Sequence, residues 1–246
     1  MDPVAAAAAT APVVGNLSTH FMMDLATYQR GAELGFTGAD FYTVGRGGAL
    51  GDVHADVVAS AFVFFAPAAV AETWDRGRAV MAPTEAADHF LAVGHDWAEG
   101  HLGDDADLPR LADLVGRLTA AANPASAPLF AAWRARPEPG ADRPRALAFH
   151  RLNVLRELRG ALHGAAVLAH GLGPHEAVTL RSPHMLGIFG WDGPHPDAGK
   201  RGERPEWAAA EAATDRALGR AYAALGEAER VELCDLAATL YAPLQG

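Results

Sequence analysis

The residues best suited to chemistry stand close together in one predicted helix. Residues 145–170 form a largely apolar run in which Arg156, Glu157, Arg159 and His163 occur within eight positions. A helix that is apolar on nearly every face is usually buried, and buried charges must be paired. Guanidiniums can hold an anionic or carbonyl group, while a carboxylate or an imidazole can act as acid or base. We therefore predict a polar pocket against this helix.

A second set of polar residues lies in the predicted helix 205–225. Glu211 occupies one of its core-facing positions, Asp215 lies just beside that stripe, and either carboxylate can meet Arg156 or Arg159. Two interpretations stay open: a pocket in which Glu157, His163 or Asp215 is catalytic and Arg156, Arg159 and Glu211 bind ligand, or structural ion pairs that specify helix packing.

Two glycines, Gly160 and Gly164, follow Glu157 in the same long helix. Each costs about 1 kcal/mol of helix stability relative to alanine, so something should offset the loss. Their missing side chains predict that another helix, or a ligand, approaches the backbone there.

In the first part of the chain, Tyr42 and Arg46 stand next to a predicted glycine-rich turn at residues 45–51. We expect them to complete the site if the two parts of the chain face each other. The turn superficially resembles a phosphate-binding loop. It lacks the third glycine of a dinucleotide fingerprint, and no Gly-Lys-Ser/Thr follows, which argues against nucleotide binding.

The sequence contains no pattern that is specific to a metal site or to a cofactor. The chain has eleven histidines, but His89, His95 and His101 are six residues apart, so successive side chains point about 120° apart on a helix. That spacing is not a ligand pattern, and we predict no metal site. The sequence identifies no cofactor.

Composition limits the partners. The 246 residues carry a formal charge of −10 and no block of basic residues, which disfavours nucleic acid as a partner. One cysteine, Cys234, permits no internal disulfide. No apolar stretch is long enough to cross a bilayer, so we expect a cytoplasmic protein with no membrane partner.

Helix, turn and breaker signals predict a mainly α, multi-helix protein. We expect a disordered tail at 1–16, an N-terminal helical half at 17–135, a Pro-rich linker at 136–144 and a C-terminal helical half at 145–246. Residues 32–51 and 169–190 share an order of helix end, glycine turn and short helix, which suits two related halves.

Six short motifs give the chain a family resemblance over about residues 36–240. They are Tyr42 with Gly45-Arg46 before Leu50-Gly51, Phe62 with Phe65 and Pro67, Leu102-Gly103-Asp104, Ala122-Asn123-Pro124, Leu155-Arg156-Glu157 with Arg159-Gly160 and His163, and Thr214-Asp215-Arg216. On these motifs the sequence resembles an actinobacterial SalHD-like helix-turn-helix family of unassigned function. The resemblance implies a plain or winged helix-turn-helix architecture in a degenerate tandem pair.

These observations favour a small-molecule-binding protein or enzyme on a helix-turn-helix-like scaffold, with a small organic molecule, anionic or neutral, as its ligand. A DNA reader should present a basic recognition helix, yet residues 53–65 and 176–180 contain no Arg or Lys. The alternatives are a ligand-responsive transcription regulator using scattered arginines such as Arg181, Arg201 and Arg204, and a structural or partner-binding protein. A homodimer is compatible with each of them.

Overall fold

The computed structural model describes residues 1–245, which are mainly α-helical, as predicted. Twelve α-helices follow one another: α1 Pro3–Met23, α2 Leu25–Glu33, α3 Asp40–Gly47, α4 Ala55–Phe62, α5 Pro67–Val80, α6 Pro83–His101, α7 Leu108–Ala121, α8 Pro128–Arg134, α9 Pro144–Ala169, α10 Pro174–Arg181, α11 Pro205–Tyr222 and α12 Glu227–Tyr241. No β-strand occurs among these residues, so the winged form of the predicted architecture has no hairpin here. None of the helices so described is long and apolar enough to cross a membrane.

The longest helix, α9, lies at the centre of the molecule and contacts α1, α6, α7, α8, α10 and α11. It begins at Pro144, whose missing N–H is no loss in a first helical turn, and it ends before Gly171. Its apolar residues on several faces are buried, among them Leu152, Leu155 and Val167. Burial on several sides agrees with the absence of a continuous polar stripe in this helix.

The N-terminal segment is not a disordered tail. Residues 3–23 form α1, which packs against α9, α11 and α12, and Ala6, Ala7 and Val14 are buried. Asp2 caps the helix by accepting from the N–H groups of Val4 and Ala5. The prediction was wrong because the proline at position 12 does not end the helix. Pro12 lies on the exposed side of α1, where the carbonyl that loses its partner can face water.

Two helix pairs end their first helix in the same way. After α2, Gly35 has φ +96° and the N–H of Phe36 donates to Gly31; after α9, Gly171 has φ +84° and the N–H of Leu172 donates to Val167. This is the Schellman arrangement, in which a left-handed glycine ends the helix and the next residue is buried. The pairs α2–α3 and α9–α10 therefore share one cap geometry, as two related helix-turn-helix units would.

The predicted glycine turn at 45–51 is partly helical. Gly45 and Gly47 belong to the last turns of α3. Cβ atoms at these positions would lie 2.6 Å from Phe90 and 2.8 Å from Val58, so a larger residue would collide with its neighbours. The glycines let α3 pack closely against α4 and α6, and the chain turns only after Leu50.

The proposed linker, 136–144, lies outside any helix up to Arg143, and the helices on both sides of it share one hydrophobic cluster. That cluster includes Phe41 and Phe90 from the first half and Leu155 and Tyr222 from the second. The division into two halves stays a prediction.

A matched pair of substitutions tests whether α1 is part of the core. Ala6→Asp places a charge at a position with no exposed surface, so we expect a loss of about 3 kcal/mol or more in the free energy of unfolding. Ala9→Asp lies on the exposed side of the same helix and should cost less than about 1 kcal/mol. Urea unfolding followed by circular dichroism measures both. Equal tolerance of the two changes would mean that α1 does not pack as described.

Candidate functional site

A cavity of about 360 Å³ lies between α1, α3, α4 and α9. The segment after α10 closes its remaining side. Five of the residues predicted for the site line it together: Tyr42, Arg46, Arg156, Arg159 and His163. Most of the remaining wall is apolar and aromatic, formed by side chains such as Met22, Phe62, Phe64, Phe65, Met185 and Phe189. Cavities of this size and composition are typical of small-molecule sites.

The charged end of the cavity is built on the pair of Arg46 and Glu157. Nε of Arg46 donates to Oε1 of Glu157 at 2.9 Å, and Nη2 donates to Oε2 at 2.8 Å, while both side chains are almost fully buried. The third nitrogen, Nη1, donates to the hydroxyl of Tyr42 at 3.0 Å. The guanidinium carbon of Arg46 also lies 4.3 Å from the ring centroid of Phe62. These contacts hold Arg46 in one orientation.

Glu157 is a counter-ion rather than a free acid or base. Besides Arg46, Nη1 of Arg156 donates to Oε1 at 2.8 Å. Burial on its own would raise the pKa of Glu157, but the charges of Arg46 and Arg156 outweigh it and bring the pKa below the ordinary value. The carboxylate is therefore ionised at neutral pH and has no proton to donate. Its stabilising effect is present above the pKa of an unfolded glutamate and is lost as pH falls through the folded-state pKa.

Two further arginines leave the cavity with a surplus of positive charge. Nη2 of Arg159 donates to Glu211 at 3.1 Å, whereas Arg181 at the end of α10 makes no ion pair with any of residues 1–245. Arg181 is an exposed residue at the edge of the cavity, and burial of part of its side chain, followed by the charge of Arg159, lowers the pKa of Arg181 against the opposing charge of Glu211. Four guanidiniums on the wall thus face two paired carboxylates, with a net charge of about +2 in an acidic protein.

His163 lies deeper in the wall and is neutral. Its Nδ1 is 3.1 Å from the hydroxyl oxygen of Thr214, and its ring packs between Phe64 and Trp207, with centroid distances of 5.7 and 5.5 Å. Burial, followed by the charges of Arg159 and Arg181, lowers the pKa of His163 to about 3. The imidazole therefore stays uncharged at physiological pH.

Asp215 does not take the place predicted for a catalytic group. It is absent from the cavity wall, and its Oδ1 has no partner among residues 1–245. Burial raises the pKa of Asp215 against the opposing charge of Arg159. Glu211 reaches the cavity only through its ion pair with Arg159.

The aromatic wall depends on an unusual turn at Val63. This residue has φ +54° and ψ −62°, and the N–H of Phe64 donates to the carbonyl of Phe62 at 2.6 Å, which makes a tight γ-turn. A positive φ is strained for a β-branched residue. The turn brings Phe62, Phe64 and Phe65 to the cavity wall. Strained backbone of this kind is often found at functional sites.

The two glycines of α9 have different roles. A Cβ atom on Gly164 would lie 2.8 Å from Cγ2 of Val63, so this glycine accommodates the strained turn. Gly160 lines the cavity, and nothing lies within 4 Å of the place where its Cβ would be. Close approach to the backbone therefore comes from a loop at Gly164, while Gly160 leaves open space for a ligand.

Several wall residues were not expected from the sequence. The run 62–65 was read as the end of an apolar helix, although Val63 ends α4. Arg181 was considered only as a possible DNA contact. The side chain of Asn16 was missed because residues 1–16 were assigned to a tail, and Met22 was missed although it lies in the predicted helical half. Among residues 1–245, no group of three or more His, Cys, Asp or Glu side chains is placed to hold a metal ion.

Comparison with known families identifies a helix-turn-helix profile in the chain. A profile described as "Helix-turn-helix family" matches residues 7–212. The chain belongs to this helix-turn-helix family. No curated protein and no solved structure matches the chain. Because a fold can serve many functions, the activity has to be argued from the cavity itself.

The central ion pair makes a prediction about stability. Glu157→Gln leaves the buried Arg46 and the half-buried Arg156 without a counter-ion, so we expect a loss of about 3–5 kcal/mol in the free energy of unfolding. Glu33→Gln removes one partner of the exposed pair Arg30–Glu33 and should cost less than about 1 kcal/mol. Urea unfolding at pH 7 measures both variants. A loss below about 1 kcal/mol for Glu157→Gln would show that the pair does not hold the site together.

Proposed function

We propose that the protein binds a small organic anion in the cavity beside α9. The observation that carries the proposal is the surplus of positive charge on the wall, with Arg181 left without an ion-pair partner among residues 1–245. An anionic group placed against Arg156, Arg159 and Arg181 would balance this charge with charge-assisted hydrogen bonds. The aromatic and methionine side chains opposite would hold the apolar body of the ligand.

Binding is the proposed primary role of the cavity, and catalysis stays an open second role. The site offers guanidiniums and one neutral imidazole, His163, but Glu157 is occupied by Arg46 and Arg156, and Asp215 is outside the wall. Binding and orientation of an anion need only the groups that are present. We further propose that the chain falls within the SalHD-like group of helix-turn-helix proteins, and that it acts in the cytoplasm, where a single cysteine suits a reducing environment.

A ligand-responsive transcription regulator is the second candidate, favoured by the family match. DNA-reading proteins of this class place the second helix of the unit in the major groove. Here the second helix α3 is almost wholly buried, and the one basic residue of α10, Arg181, lines the cavity. Arg204 is already paired with Glu176 and Glu206. A mobility-shift assay with the upstream DNA of the protein's own gene, at about 50 and 200 mM salt, tests this candidate.

Anion binding is tested by calorimetric titration with benzoate and 2-naphthoate, using 2-naphthamide as the uncharged counterpart. We expect the carboxylates to bind and the amide to bind much more weakly. Arg181→Gln should weaken carboxylate binding about 10- to 100-fold, because it removes one charged partner without breaking an internal ion pair. Arg220→Gln is the matched control, since Arg220 is exposed and lies outside this cavity. Equal affinity of the Arg181→Gln and Arg220→Gln variants would overturn the proposed charge recognition.

The same calorimetric titration also tests whether the ligand occupies the open space beside α9. Gly160→Leu places a side chain in the open space of the cavity and improves helix propensity by about 1 kcal/mol. We expect an unchanged or higher melting temperature together with loss of 2-naphthoate binding. Gly100→Leu on α6 also meets no neighbour within 4 Å and lies outside the cavity, so it should leave binding intact. Undiminished binding by the Gly160→Leu variant would place the ligand elsewhere.

A further inference from the structure

The hydrogen-bond network assigns the proton of neutral His163. The hydroxyl of Thr214 donates to the carbonyl of Ala210 at 2.8 Å, one turn earlier in α11. Its oxygen is therefore the acceptor for Nδ1 of His163 at 3.1 Å, and that nitrogen carries the proton. The other ring nitrogen, Nε2, consequently presents a bare lone pair, which can only accept a hydrogen bond.

Two complementary polar groups near the cavity are left without partners. Nε2 of His163 has no hydrogen-bond partner among residues 1–245, and the same holds for Nε of Arg159. Both side chains are at least nine-tenths buried, and both residues line the cavity. One group needs a donor and the other needs an acceptor. Leaving either unsatisfied inside a protein is unfavourable, so each calls for an explanation.

Their spacing suits one group that both donates and accepts. Residues 159 and 163 are four apart on α9, which puts their Cβ atoms about 5–6 Å apart on the same face. A hydroxyl between the two side chains can donate to Nε2 of His163 and accept from Nε of Arg159 at ordinary hydrogen-bond distances. A carboxylate cannot donate, and an ammonium cannot accept. The pair therefore favours a hydroxyl group.

We propose that the cavity selects hydroxylated organic anions, with the ligand's hydroxyl bound between Nε2 of His163 and Nε of Arg159. This inference rests on the proposed function, because the anionic group of the same ligand is held by the neighbouring arginines. Nε2 of His163 and Nε of Arg159 are both closed to water in this fold, so a side chain beside them has to turn aside when the hydroxyl enters. Phe64 is that side chain in this proposal, since its ring packs on His163 and also lines the cavity.

The experiment compares matched ligands on wild type and on one variant. The ligands are benzoate and 2-naphthoate, their positional hydroxyl derivatives, and the corresponding methoxy derivatives, which can accept but not donate. We expect at least one hydroxyl isomer to bind wild type about tenfold or more tightly than both its parent and its methoxy counterpart. His163→Asn retains a side-chain amide that can donate to Thr214 and lacks an acceptor at the position of Nε2. It should lose the hydroxyl preference to within about threefold, measured as the ratio of the affinities for the hydroxyl isomer and its parent carboxylate.

A second variant and a second readout guard against a purely structural effect. His163→Gln places its amide oxygen near the position of Nε2, so this variant should restore a preference for the hydroxyl isomer. Nitrogen-15 NMR of wild type at pH 7.5 should show His163 as the neutral tautomer protonated at Nδ1. The opposite tautomer would overturn the inference, because Nε2 would then be a donor.

The outcomes separate this inference from the proposed function. If no carboxylate binds wild type, the proposed function fails and the inference fails with it. If the parent carboxylates bind and no hydroxyl isomer binds more tightly, anion binding stands and the hydroxyl preference is overturned. Retention of the full preference by the His163→Asn variant would also overturn it, since the acceptor would then be another group.

Discussion

The buried ion pair between Arg46 and Glu157 is the contact on which the site depends. It joins α3 to α9 through two hydrogen bonds in fork geometry between residues that are 111 positions apart in the chain. Moving both charges out of water is costly, and Arg46 cannot move away from Glu157 without losing its ion-pair partner. The position of α3 against α9 is fixed in this way, and with it the hydroxyl of Tyr42 and the ring of Phe62.

The sequence identified the polar face of α9 because a helix has a fixed period. Arg156, Arg159 and His163 fall on neighbouring positions of one helix. Charged residues in an otherwise apolar helix indicate buried polar contacts. The mainly α fold followed from the same periodicity. The pairing of Glu157 with Arg46 rather than with a residue of α11 could not be predicted, since periodicity says which face a residue occupies and not which helix lies opposite. The turn at Val63 could not be predicted either, because the apolar run around it has ordinary helical character and the turn depends on the gap left at Gly164.

The two helix-turn-helix units have their second helices turned inward. In α3, Tyr42 and Arg46 face the cavity, and in α10 the terminal Arg181 does so from the opposite side. Left-handed glycines end the first helix of each pair, after α2 and after α9. A motif that can present a helix to DNA is thereby able to surround a small volume instead. This arrangement accounts for a basic cavity inside a chain with a formal charge of −10.

The contact between Val63 and Gly164 couples two positions that are about a hundred residues apart in the chain. Any side chain at position 164 would collide with the methyl groups of Val63, and any change at position 63 alters how much space position 164 must leave empty. The residues at positions 63 and 164 are therefore expected to change together in evolution. Among relatives that keep this cavity, a glycine at the second position should accompany a bulky residue at the first, and the two should be exchanged together. The effects of substitutions at positions 63 and 164 on the free energy of unfolding are then expected to be non-additive.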